Sequence, residues 1–386
     1  MSALRVAFAA LLALATPRAQ DPPAFDFDAA WREVCTAFHA ACDEHQVVGG
    51  SLWFVAGDRV LGKVAHGHAD RTAARAVDDD TIFHWASCTK TFTGIAAMQL
   101  RDRGRLTLDA RIADLLPELR AVHDPFGSLH EITIRHLLSH SAGFRGPTWP
   151  FGGDQPWHPH EPTEWSQLVA MMPYTQLEFR PGSRYSYSNP GIVFVGRVIE
   201  QLSGDDWEVY VDKNLLRPLG MTRSYFDVTP YHLARHRSHS YERRGAELTD
   251  LGSDFDTGIT VSNGGLNAPL GDMARYLAFL LGASPVDSDE AQVLRRESLH
   301  EMFAPVLPAN PQGTEHIGLC FFVQQLDGTP VLTHTGGQRA FVSSFYVHPA
   351  SGTGALAAFN TGSAGPVMAA MRRLCLEKLS KPRTKS

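Results

Sequence analysis

The chain has 386 residues, of which 44% are apolar and 20% charged, and its formal net charge is −6. That length can bury a sizeable core, and the composition is that of an ordinary globular protein. The basic residues are scattered rather than clustered, which argues against nucleic acid or an anionic membrane as the main partner.

The first twenty residues read as an export signal. Arg5 supplies a positive start, Val6 to Ala15 is an unbroken apolar run, and Ala13-Leu14-Ala15 offers a cleavage pattern, with Ala19 as a second option. The run is too short to span a bilayer, and no later stretch approaches 18 apolar residues. The expectation is an exported protein, periplasmic or secreted, with no membrane span once residues 1–20 are removed. Five cysteines, with no C-x-x-C spacing, specify no disulfide framework and are expected as free, buried thiols.

In chain order, Phe25 to about His45 has helical periodicity, with Trp31, Val34, Phe38 and Ala41 on one face. Two strands are predicted at Gly50 to Val55 and Val60 to Ala65, joined by a turn at Ala56-Gly57-Asp58. From about 80 to 280 the pattern is mostly helical, interrupted by a Pro/His/Trp-rich loop at Pro147 to Pro162 that is expected to border a cleft. Strand patterns return at Gly318 to Gln325, Val331 to His334, Phe341 to His348 and Ala355 to Asn360, and a helix is predicted over Gly365 to Leu379. Strands at both ends with helices between them predict an α+β fold. One antiparallel sheet would be drawn from about 24–75 and 280–380, flanked by helices, with an inserted all-helical subdomain over about 80–280, all within one catalytic domain over 24–380.

Three short stretches carry chemistry. In Ser87-Cys88-Thr89-Lys90 the serine precedes a helical pattern (Phe92, Ile95, Ala96, Gln99, Leu100) and the lysine lies one turn on, at i+3. A serine hydroxyl needs a neighbouring base, and a lysine serves only when burial or nearby charge lowers its pKa. The helix N-terminus adds N–H groups where an oxyanion forms. Such a tetrad also arises by chance, and taken alone Ser87 reads more readily as a helix N-cap. Lys90 is nevertheless the only one of six lysines with a serine three residues before it, and it lies in an apolar segment.

Tyr187-Ser188-Asn189 precedes an apolar helix, Ile192 to Leu202. The tyrosine is a candidate acid or base, and Asn189 can cap the helix or offer a donor and an acceptor to a substrate. Taken alone, the stretch also reads as a turn. His334-Thr335-Gly336-Gly337 ends a strand signal, its glycines permit close backbone approach, and it reads alternatively as a hairpin turn.

Together and in this order, the three stretches resemble the serine β-lactamase and D-alanyl-D-alanine carboxypeptidase superfamily. The nearest likeness is to its class C branch, which includes carboxylesterases. Further segments share the resemblance: Thr81 to Thr93, Gly104 to Asp109, Ile132 to Gly143, Arg180 to Gly191 and Leu216 to Thr222. It implies the β-lactamase/transpeptidase-like fold and a serine hydrolase that forms an acyl-enzyme on Ser87. Lys90 and Tyr187 would share proton transfer, while Asn189, His334, Thr335 and Gly336 would bind substrate. The N–H groups of Ser87 and Gly337 would form the oxyanion hole. No metal or other cofactor is implied.

The implied substrate is a small molecule or peptide (a cell-wall peptide, a β-lactam or an ester). A carboxylesterase or a slowly deacylating binder of cell-wall fragments are the alternatives. Two departures bear on that choice. His334 stands where many relatives carry lysine, so a carboxylate anchor there is only partly charged at neutral pH, and Arg339 is the nearby candidate to replace it. Ala340 stands where relatives usually have glycine. Eighteen histidines invite a metal reading, but none has an acidic or cysteine set at recognisable spacing. His136 and His140 are expected to pack and hydrogen-bond near the cleft.

Overall fold

The computed structural model describes residues 25–144, 162–283, 292–326 and 328–380. The export segment and the 147–162 loop (save Pro162) lie outside the described residues. Among the described residues, no helix is long and apolar enough to cross a membrane.

Asp26 starts the first helix, Phe27–Glu44, by accepting from the Ala29 N–H at 2.9 Å, the usual way a short acidic side chain satisfies an orphan donor. Val34, Phe38 and Cys42 form its buried face. It packs with the last helix, Gly365–Leu379, on one side of a nine-stranded antiparallel sheet. Read across the sheet, the strands are Arg75–Ala76, Arg59–Asp70, Gly49–Ala56, Thr353–Phe359, Phe341–His348, Thr329–Gln338, Phe322–Leu326, Glu315–Ile317 and Leu307–Pro308. Both chain ends therefore meet at its centre, where Gly50 pairs with Phe359 and Ala56 with Thr353. The second, larger core lies on the other side, between the sheet and the helical region.

The structure departs from the sequence expectations in three places. First, the 80–280 region is not purely helical. It holds a small sheet (Ile82–His84, Leu266–Pro269, Tyr225–Phe226) and a hairpin of Tyr241–Arg244 with Glu247–Asp250. Strands of two to four residues are too short to show a period. Second, the predicted strand Gly318 to Gln325 begins only at Phe322. The backbone before it bonds to the helical layer: Leu319 N–H donates to Met302 O and Cys320 N–H to Leu138 O. Third, the Val331 to His334 signal is part of a longer strand, Thr329–Gln338, so His334, Thr335, Gly336 and Gly337 lie within the sheet. They pair with Phe345, Ser344, Ser343 and Val342. The turn itself falls at Arg339-Ala340. The five cysteines are all free, and all but the half-buried Cys35 are buried.

Candidate active site

The chain enters the helix Thr89–Asp102 through a tight turn at Ala86–Cys88. Ala86 takes a left-handed φ of 45°, costly for a residue with a Cβ, on the order of 1 kcal/mol or more. The surroundings impose it. Trp85 donates its backbone N–H to Leu266 O at 2.8 Å and its indole N–H to Ala268 O at 2.9 Å. Thr89 Oγ1 donates to Ala86 O at 2.6 Å and accepts from Leu266 N–H at 3.0 Å. Half-buried Ser87 is thereby presented at the helix start.

Thr89 through Leu100 is buried on every face, so Lys90 lies in the core. Its Nζ is 3.0 Å from Ser87 Oγ, donates to Asn263 O at 2.8 Å, and sits 5.0 Å from the centre of the Tyr187 ring. No carboxylate pairs with it among the described residues. A lone buried ammonium is costly, and burial pushes Lys90 down to about 7. Neighbouring Cys88 and Cys320, both pushed up to about 12 by burial, are neutral thiols and compensate little.

Tyr187 is raised above its ordinary value by burial, partly opposed by its hydrogen bond with Ser87, and stays a neutral phenol. Its ring lies 4.5 Å from that of His140. Ser188, not Asn189, caps the following helix, accepting from Gly191 N–H at 3.1 Å. This leaves Asn189 as the first helical residue, beside Tyr187. His140 Nδ1 accepts from Ser188 N–H at 3.2 Å, which ties the tyrosine segment to the preceding loop.

His334 is buried, and its Nδ1 lies 2.7 Å from Thr335 O. A carbonyl accepts only, so Nδ1 carries the proton and Nε2 presents a lone pair. Burial, reinforced by the Lys90 charge, pushes its pKa down to about 3. His334 is thus neutral at pH 7, not the partial cation expected from sequence. Arg339 does not replace the charge. It donates to Leu251 O at 3.1 Å and its guanidinium lies 5.1 Å from the Phe255 ring centre, out at the hairpin tip.

The strand's glycines explain its fit. A Cβ on Gly336 would fall 2.2 Å from Trp85 O and 2.5 Å from Ser343 Oγ, whereas one on Gly337 would meet nothing within 4 Å. Ser343 Oγ donates to Trp85 O at 2.9 Å, keying the next strand to the same turn. Gln338 and Phe341 flank the two-residue loop and form a hydrogen-bonded pair, so Gly337 and Val342 form a non-hydrogen-bonded one. The Gly337 N–H therefore faces away from the Phe341–His348 strand. On that side the neighbouring strand ends at the Phe322–Thr333 pair, before reaching Gly337. Gly337 is itself exposed, so its N–H lies on an edge that this strand does not cover.

The structure thus gathers Ser87, Lys90, Tyr187 and His334 at one place, with Gly336 against the Trp85 carbonyl of the same turn, and Asn189, Thr335 and Gly337 follow as their neighbours along the chain. The sequence reading missed Asn263, whose contribution is a backbone carbonyl, and Phe322, whose ring packs 5.4 Å from His334.

Comparison with known proteins bears on the family and the fold. Esterase EstB of Burkholderia gladioli is 32% identical over 216 residues, 53% of this chain and 54% of that protein. Penicillin-binding protein 4 of Amycolatopsis lactamdurans is 34% identical over 197 residues, 50% and 48% of the respective chains. The chain thus spans about half the length of the curated relatives it matches. Among solved structures, the octameric penicillin-binding protein homologue from Pyrococcus abyssi superposes with a TM-score of 0.75 at 26% identity, over 93% of this chain and 79% of that one. A class C beta-lactamase superposes with a TM-score of 0.77 at 17% identity, over 94% and 100%, which bears on the fold alone. The Beta-lactamase family model matches residues 29–379, and with that span the chain belongs to the Beta-lactamase family.

Proposed function

We propose that this chain is a serine hydrolase that acylates Ser87 with the carbonyl group of an ester or amide and then releases the acyl group to water. The observation that carries the reading is the 3.0 Å contact between Lys90 Nζ and Ser87 Oγ, made by a buried lysine with no carboxylate partner among the described residues. A lysine near 7 is substantially neutral at physiological pH and can take the serine proton. Ser87 Oγ then bonds to the substrate carbonyl carbon, and the oxyanion is received by the N–H groups of Ser87 and Gly337. Lys90 and Tyr187 return the proton to the leaving group as its bond breaks. Water repeats the sequence on the acyl-enzyme.

The neutral state of His334 bears on the substrate. Among the described residues of the site, Lys90 is the titratable group that can carry a positive charge at neutral pH, and one such cation gives a substrate carboxylate little hold. The arrangement therefore favours uncharged esters and amides over a dedicated β-lactamase or D-Ala-D-Ala carboxypeptidase. The names of the relatives, which include an esterase and a penicillin-binding protein, are compatible with acyl transfer at such a site. Asn189, two residues after Tyr187, and Thr335, next to His334, are the residues we assign to orienting the scissile group. The apolar run near the N-terminus supports an exported protein.

A fluorophosphonate probe tests the assignment. It should label the wild type and Ser188→Ala but not Ser87→Ala; equal labelling of both variants contradicts the reading.

A further inference from the structure

We propose that His84 is a positioning residue for the oxyanion hole: braced by Asn267, it pins Gln338 and thereby holds the adjoining Gly337 N–H in place. The proposal rests on the reading of Gly337 as an oxyanion donor.

The hairpin after Gly337 turns through Arg339 and Ala340, with φ of 45° and 63°. Two-residue turns with both central φ positive favour asparagine and glycine, and neither is present. A strained tip persists only where its surroundings over-determine it. On the exposed side the tip is held by the Arg339 contacts with Leu251 and Phe255. On the buried side the anchor is His84, only 1% exposed, whose Nε2 lies 3.0 Å from Gln338 Oε1.

His84 is itself fixed. Its ring packs against Phe255 at 4.8 Å and Phe341 at 5.9 Å. Its Nδ1 lies 2.9 Å from Asn267 Oδ1, on the paired strand. The Asn267 amide is oriented in turn, because its Nδ2 donates to Gly265 O at 3.3 Å and Asp227 O at 3.4 Å. Asn267 Oδ1 therefore accepts from the Nδ1–H of His84. The neutral ring then offers a lone pair at Nε2, and a half-turn of the Gln338 amide, which exchanges its Oε1 for its NH2, makes Gln338 the donor there.

This one imidazole links three segments that border the site. His84 ends the strand that leads to Ser87. Asn267 lies on the strand that follows Asn263, the acceptor for Lys90. Gln338 is bonded to Gly337. The hydrogen bonds of His84 go to Asn267 and Gln338 rather than to Ser87 or Lys90, so its influence on the reaction passes through the backbone it holds.

Acylation kinetics separate this role from simple folding. The maximal rate of acylation and the half-saturating concentration are measured with a nitrophenyl ester for the wild type, Gln338→Ala, His84→Leu and the double variant, alongside thermal melts. Removing an oxyanion donor outright costs about 100- to 1000-fold, so a misplaced donor should slow maximal acylation by about 10- to 100-fold. The half-saturating concentration should stay within about twofold, and the double variant should be no slower than the slower single one. Gln338 is only half-buried, so Gln338→Ala keeps the test open should His84→Leu fail to fold. If Gln338→Ala acylates at the wild-type rate, or the two losses multiply, the inference is wrong. If the wild type takes no acyl group at Ser87, the hydrolase reading itself fails.

Discussion

Lys90 gives one hydrogen bond to the Asn263 carbonyl oxygen at 2.8 Å and keeps Ser87 Oγ at 3.0 Å. A backbone carbonyl orients the amine without the full charge of a carboxylate, which would hold the lysine protonated. The lysine is thus fixed in place yet kept basic enough to matter and neutral enough to act.

The pH dependence of the reaction follows. The base must be neutral, and its pKa in the folded protein is about 7. The acid limb of kcat/KM is expected to rise with pH through about 7 and then level off. Lys90→Arg, which stays protonated throughout, should lose about 100- to 10,000-fold. A pH-rate profile flat from 5 to 8 would separate Lys90 from the base role.

Stability should fall in acid for a separate reason. His84 is pushed down to about 4, His334 to about 3 and His140 well below its usual value, in each case chiefly by burial. An unfolded histidine titrates near 6.5. Between the folded and unfolded pKa values the unfolded state binds more protons, so stability rises with pH there and is lost as pH falls below about 6.5. Each proton contributes about 1.4 kcal/mol per pH unit. Urea midpoints at pH 7, 6 and 5 should drop steadily, and His334→Gln should lessen the slope.

Gly336 and Gly337 should respond oppositely to alanine. At Gly336 the new Cβ would collide with Trp85 O and Ser343 Oγ, so Gly336→Ala should cost about 1–3 kcal/mol and displace the Ser87 turn. At Gly337 the space is open, and Gly337→Ala should change stability by about 0.5 kcal/mol or less. Equal denaturation midpoints for the two variants would contradict the fit described for this strand.

Substrate charge offers a further check. His334→Lys should raise kcat/KM for an ester bearing a free carboxylate relative to its uncharged analogue by about tenfold or more, as a permanent cation replaces a neutral lone pair. If the wild type already prefers the carboxylate ester, the neutral reading of His334 is wrong.

Much of this was legible in the sequence, for local reasons. Ser87 and Lys90 stand at i+3 on a helix whose apolar periodicity is plain, and the strands Gly49–Ala56 and Phe341–His348 alternate or run apolar over enough residues to be seen. The small sheet through His84, Asn267 and Tyr225 escaped because two to four residues carry no period. Asn263 escaped because a backbone carbonyl has no residue signature. The charge state of His334 is set by burial and by Lys90, both products of tertiary packing, so the residue type alone pointed to the wrong state.

The central claim, a covalent intermediate on Ser87, is tested most directly by rapid-quench mass spectrometry during turnover of a nitrophenyl ester. The predicted result is one acyl group per chain, on the peptide containing Ser87 and absent from Ser87→Ala. Acylation of another residue, or full turnover by Ser87→Ala, would contradict it.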